Sequence, residues 1–162
     1  MDKTLFDVFP NVVTDELTIR KIVPADLDGL YEIYGNERLF LHSPVMLKKN
    51  KTTVANMTGH FERDLDKRKM VFLGISLNSA PGDIVGMFEL FDYDPHVSMV
   101  TIGYRLNDRF WGGGIATKAV QAMTDYLIFE LDINRIQAFV TPENVKSQNV
   151  LLRNAFIKEG LI

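Results

Sequence analysis

The chain contains no cysteine, so it has no disulfide framework, no thiolate nucleophile and no thiolate metal site. Histidines are few: His42, His60 and His96 form no metal-spaced pair, the H-E-x-x-H pattern is absent, and no metal is expected. No apolar run approaches the roughly 18 residues that span a bilayer. The amino terminus carries Asp2, Lys3 and Asp7 among its apolar residues and lacks a signal-peptide core or small-residue cleavage site. A basic excess is missing as well: the net charge is -3, and the short cluster Lys48-Lys49-Lys51 reads as a solvated face. Neither nucleic acid nor membrane is therefore an expected partner, and a cytoplasmic location fits best.

What is present suits one globular unit. With 162 residues, 46% hydrophobic and 24% charged, the chain is expected to form a single domain over 1–162, without repeat or linker. Leu17 to Ile22 alternates as a first strand, and Pro24-Ala25-Asp26 opens a helix with Leu27, Leu30, Tyr31 and Tyr34 on one face. A polar helix over roughly Thr52 to Lys67 is expected to lie over the sheet. Met70 to Leu77, Ile84 to Phe91 and Val97 to Leu106 read as an antiparallel meander, the first two joined by the turn-rich Asn78 to Asp83. A helix from Ile115 to Glu130, a strand from Arg135 to Thr141 and a helix from Val145 to Asn154 complete the order β-α-α-β-β-β-α-β-α. This predicts an α+β fold, a mixed and mostly antiparallel sheet with helices on both faces.

The most informative segment is Arg109-Phe110-Trp111-Gly112-Gly113-Gly114-Ile115-Ala116-Thr117, between a strand and a helix. Glycines there adopt φ > 0 and let a ligand approach the backbone. The helix start adds unpaired N–H groups and a positive dipole end, so the turn suits phosphate. A Walker A loop is excluded, because no Gly-Lys is followed by Ser or Thr. The dinucleotide fingerprint counted from Gly112 ends on Thr117, and Asp132 falls before the next strand rather than closing it. The pattern R/Q-x-x-G-x-G/A is met by Arg109, Gly112 and Gly114. A tight strand-to-helix connection alone rarely needs three glycines.

These residues resemble the coenzyme A signature of the GCN5-related N-acetyltransferase (GNAT) superfamily. Ile102-Gly103-Tyr104, then Phe110 to Thr117, then Glu143-Asn144-Val145-Lys146-Ser147 resemble the ribosomal-protein N-terminal acetyltransferase (RimJ/RimL-like) branch. Val150-Leu151 and Asn154-Ala155-Phe156 fit too, and the resemblance runs from about Leu17 to Gly160. It implies an acetyl-coenzyme A-dependent enzyme acting on a primary amine, on a protein N-terminus or a small molecule. A non-catalytic acyl-coenzyme A binder of the same fold is the alternative.

For the cofactor, the resemblance implies pyrophosphate on the amides of Trp111, Gly112, Gly113, Gly114, Ile115 and Ala116, with Arg109 at the entrance. The pantetheine arm would pair beside Tyr104 to Leu106, whose strand also offers an N–H to the thioester oxygen. Without cysteine no acetyl-thiol enzyme forms, so direct transfer is expected. Asn144 and Ser147 match the family's N-x-x-S: Ser147 as proton donor or thiolate partner, Asn144 orienting the pantetheine or capping the last helix. Asn149 and Arg153 would reach the adenosine end.

For the base, many relatives place glutamate just before Ile-Gly-Tyr, where this chain has Thr101. Glu89 is the leading replacement if it faces the cleft, and is otherwise an exposed carboxylate; His96 has a suitable ordinary pKa but follows Pro95 in a turn. Phe40, Met46, Met57 and Phe61 wall the acceptor site or pack the core. Relatives continue through a further hairpin that this chain, ending at Ile162, is expected to lack by truncation or natural abbreviation. The strand Arg135–Thr141 would then expose an edge to a second chain, and a homodimer is one expectation.

Overall fold

A computed structural model describes residues 4–162 of the chain. The strands are β1 (Val12–Val13), β2 (Leu17–Lys21), β3 (Met70–Leu77), β4 (Ile84–Asp94), β5 (Met99–Leu106) and β6 (Arg135–Gln137). The helices are α1 (Leu27–Tyr34), α2 (Lys51–Asp66), α3 (Ile115–Asp125) and α4 (Val145–Arg153). The strands form one sheet in the order β1-β2-β3-β4-β5-β6, antiparallel except for the parallel β5–β6 pair. The expected α+β order holds, with β1 as a short addition.

The alternating pattern assigns side chains to two layers. On one face Leu17, Ile19, Val85, Phe88, Val100 and Ile102 pack beneath α3 and α4, with Val120, Met123 and Leu151 from the helices. On the other face Ile84 and Met87 meet Leu30, Ile33 and Tyr34 of α1 and Val54 of α2. The long α2 buries only Val54, as its polar sequence foretells, and Asn50 caps it by accepting from the Thr53 N–H at 2.9 Å.

Three boundaries depart from expectation. Strand β4 runs on to Asp94 through a bulge after Phe91, with Asp92 at φ 49°. The end of α3 widens into a π turn at Tyr126–Glu130. Most consequential, β6 stops at Gln137 instead of Thr141. The Gln148 side chain of α4 donates to the carbonyls of Thr141 (3.3 Å) and Pro142 (2.9 Å), which ties this stretch to α4 rather than to β5. The sheet edge is therefore three residues long, and Glu159 flanks it by pairing with Arg135 at 2.6 Å.

The crossing from β2 to α1 is fixed by a nearly buried ion pair. Arg20 donates to both oxygens of Asp26 (2.9 and 3.0 Å), and the Val23 N–H donates to the same carboxylate at 2.8 Å. The Asp26 side chain is 1% exposed and that of Arg20 is 20% exposed. Removing the acid strands a cation that cannot deprotonate, so Asp26→Ala is expected to cost about 3 kcal/mol in urea denaturation.

Candidate active site

The parting of β5 from β6 creates the site. Pairing runs Met99↔Arg135, Val100↔Ile136 and Thr101↔Gln137, and there it ends. From Ile102 to Leu106 one edge of β5 still pairs with β4, while the other has no partner strand. A strand edge in the middle of a sheet presents N–H and C=O groups to whatever enters the wedge.

The glycine turn closes the end of this wedge. Gly112 and Gly114 take φ +83° and +78°, the left-handed region in which a Cβ is strained. No heavy atom lies within 4 Å of a Cβ built on Gly112, Gly113 or Gly114, so an approaching group meets backbone alone. Gly114 is also the N-cap of α3 and offers no side-chain cap, leaving the amides of the first turn to an outside acceptor. This donor set fits a pyrophosphate. From the α1 side the turn is anchored by Asp108, which accepts from Asn36 (2.9 Å) and Arg38 (2.8 Å). The Arg109 guanidinium, expected at the pyrophosphate entrance, instead pairs with Glu32 of α1 at 2.6 Å. Trp111 donates its indole N–H to the Leu106 carbonyl (2.9 Å), and its ring faces Arg38 (5.2 Å) on one contact and Lys146 (4.3 Å) on another.

Across the wedge, Asn144 caps α4 by accepting from the Ser147 N–H at 3.2 Å. The Ser147 hydroxyl lies 2.8 Å from the Tyr104 hydroxyl, which also donates to the Ser147 carbonyl at 3.1 Å. Burial pushes the Tyr104 phenol up to about 12, so it remains a neutral hydroxyl at working pH. Asn149 and Arg153 are exposed farther along α4.

Glu89 lies on the opposite face of the sheet, toward α1 and α2. Its register partners are Phe72 on β3 and Gly103 on β5. A carboxylate oxygen lies 3.4 Å from where a Gly103 Cβ would be, so the acid reaches over β5 toward the unpaired edge. It is half-buried rather than an exposed alternating residue, and burial raises its pKa above the ordinary glutamate range, opposed by the Arg105 charge. Thr101 is buried and its hydroxyl accepts from the Gln137 amide at 2.9 Å. His96 is exposed in the β4–β5 turn, beyond the Asp94↔Met99 pair. Among the residues expected to wall the acceptor site, Phe61 stacks on Phe72 at 4.0 Å, Phe40 contacts Arg105, Met57 packs against the α1–α2 core, and Met46 is 77% exposed.

Residues 16–157 match the acetyltransferase (GNAT) domain. The chain belongs to this family. It is 28% identical over 149 residues to the uncharacterized N-acetyltransferase p20 of Bacillus licheniformis, covering 92% of this chain and 83% of that protein. It is 22% identical over 157 residues to the ribosomal-protein-serine acetyltransferase of Escherichia coli, covering 93% and 84%. The solved structure of Mycobacterium smegmatis RimJ in complex with CoA-disulfide shares the fold, with a TM-score of 0.78 at 24% identity over 90% of this chain and 72% of that one. This GNAT protein is thus an acetyltransferase. Among the described residues no group of acids and histidines is gathered for a metal, and no helix is long and apolar enough to cross a membrane.

Tyr34, Arg105 and Gln137 were missed from sequence, although alternation along β5 already puts 101, 103 and 105 on one face. Two outcomes follow for this site. Gly114→Val forces a β-branched residue to positive φ, at about 1–3 kcal/mol of strain, and is expected to abolish the thermal shift produced by coenzyme A. An undiminished shift would remove the pyrophosphate from this turn. For Glu89, folding raises the pKa, so its contribution to stability is present below the unfolded-state value and lost as pH rises through the folded one. Glu89→Gln is expected to melt with the wild type near pH 4 and above it at pH 8.

Proposed function

We propose that this N-acetyltransferase moves the acetyl group directly to a primary amine, with Glu89 receiving the amine proton and Ser147 attending the departing thiolate. Coenzyme A supplies the acetyl group as a thioester, and the residues fitted to hold it are the amides of Trp111 to Ala116, the free edge of β5 at Tyr104 to Leu106, Asn144 and Ser147. The observation that carries the reading is that Glu89 and Ser147 converge on the same unpaired stretch of β5 from opposite faces of the sheet.

Each residue then has a task that its surroundings favour. The raised pKa makes Glu89 a stronger base than an exposed glutamate once ionised. The Tyr104 hydroxyl holds the Ser147 side chain beside β5. A β5 amide, free of any partner strand, is available to stabilise negative charge on a carbonyl oxygen. No covalent acetyl-enzyme is needed, since the two substrates meet across one strand.

Thiol release from acetyl-coenzyme A across a panel of primary amines tests this reading. Glu89→Gln is expected to lower kcat by roughly 100-fold or more and to remove the ascending limb of the pH–rate profile, because only the ionised acid accepts a proton. Ser147→Ala is expected to lower kcat less, with the coenzyme A thermal shift retained. Full activity in Glu89→Gln would remove the base from this position.

A further inference from the structure

Arg105 is the charged group on the acceptor face that acetyl transfer leaves without a task. It is half-buried, stacks 4.3 Å over the Phe40 ring, faces Tyr34 at 5.9 Å, and donates to the Ser43 hydroxyl at 2.8 Å. The Tyr34 hydroxyl also offers an acceptor to the guanidinium, and among the described residues no acidic side chain pairs with it. A guanidinium offers five donors in a fixed fork, so most of this fork is unspent in a site walled by aromatic rings. Glu89 is the complement: a half-buried carboxylate with no hydrogen bond or ion pair among the described residues, although the Arg105 charge acts on it against the raising effect of burial. The register sets Glu89 opposite Gly103 with Arg105 two residues farther along β5, diagonal neighbours about 7–8 Å apart at the backbone.

Two partly desolvated charges of opposite sign, held near each other yet not paired, suit a ligand that carries both signs on adjacent atoms. The geometry points to a free α-amino acid as the acceptor, its amine delivered to Glu89 and its carboxylate bound by Arg105. A protein N-terminus matches less well: the carbon beside its amine carries a neutral amide, which gives the guanidinium one carbonyl oxygen and no counter-charge. Phe61 stacked on Phe72 borders Glu89 on this face. Ser43 and Phe40, from the segment between α1 and α2, hold the guanidinium in place, so that segment helps set acceptor specificity.

This assignment rests on Glu89 as the proton acceptor, and the test separates the two. The full chain is assayed with acetyl-coenzyme A and matched acceptors: leucine and leucinamide, phenylalanine and phenylalaninamide, and a peptide beginning with phenylalanine. The wild type is expected to favour each acid over its amide in kcat/KM, and Arg105→Gln to cut that acid-to-amide ratio roughly 10- to 100-fold. The loss should appear in KM for the acid, leave the amide within about twofold, and be partly restored in Arg105→Lys. Retention of the coenzyme A thermal shift certifies that Arg105→Gln is folded; should it not fold, Ser43→Ala is expected to raise KM for the acid alone. Equal losses on acid and amide would make Arg105 a structural residue and overturn the inference. So would Glu89-dependent turnover of amides and peptides as fast as of acids, which leaves the base assignment standing. Activity that survives Glu89→Gln overturns the base assignment and this inference with it.

Discussion

The geometry of this enzyme depends on two parallel strands that pair for three residues and then separate. Had β6 continued beside β5 to Thr141, every polar group of the β5 edge would be spent inside the sheet. The separation leaves Ile102 to Leu106 of β5 without a partner strand on one edge in the middle of the fold, and there the Trp111 indole N–H takes the Leu106 carbonyl. Bare edges at a sheet margin invite aggregation; this one lies between a glycine turn and the start of α4. The separation is held by side chains rather than by a hairpin. Gln148 binds the carbonyls of Thr141 and Pro142, and Tyr104 reaches from β5 to Ser147.

Around that edge the two faces of the sheet are assigned different chemistry. The face under α3 and α4 carries neutral hydroxyls: Tyr104, kept protonated by burial, and Ser147. The face under α1 and α2 carries charge: Glu89 and Arg105, among Tyr34, Phe40, Phe61 and Phe72. Burial pushes the Tyr34 phenol upward and the Glu89 charge adds to it, so Tyr34 also stays neutral. The division follows from period two. Residues 101, 103 and 105 share one side of β5, while 102, 104 and 106 share the other. A shift of one residue in the β4–β5 register would exchange the two sets.

Much of this was legible in the sequence, and the reasons are local. Three glycines before a helical pattern need no tertiary context to be read as a backbone-exposing turn, and Gly112 and Gly114 do adopt positive φ. Asn144 at the start of a helix is likewise a local signal, and it is the cap. The end of β6 was not legible, because Ile136, Ala138 and Val140 continue the alternation. Beyond the strand, Gln148 on the following helix holds the carbonyls of Thr141 and Pro142. The partner of Arg109 was not legible for the same reason: its guanidinium pairs with Glu32, on a helix more than seventy residues earlier. Arg105 has no motif, and its meaning appears only when Phe40 and Ser43 fold over it.

Positions 101 and 89 are filled differently although both approach the wedge. A carboxylate at 101 would stand at the last rung before the wedge, on the strand that borders it. Here the position holds a hydroxyl satisfied by Gln137 and carries no charge. An acid one strand away, at 89, reaches the same edge only if nothing projects from β5 between them. The residue between is Gly103, and the Glu89 carboxylate lies over it. A side chain there would contact the acid and screen it from the wedge. The glycine of Ile-Gly-Tyr therefore has a use in this chain beyond backbone freedom. It is the gap through which a carboxylate on β4 reaches over β5.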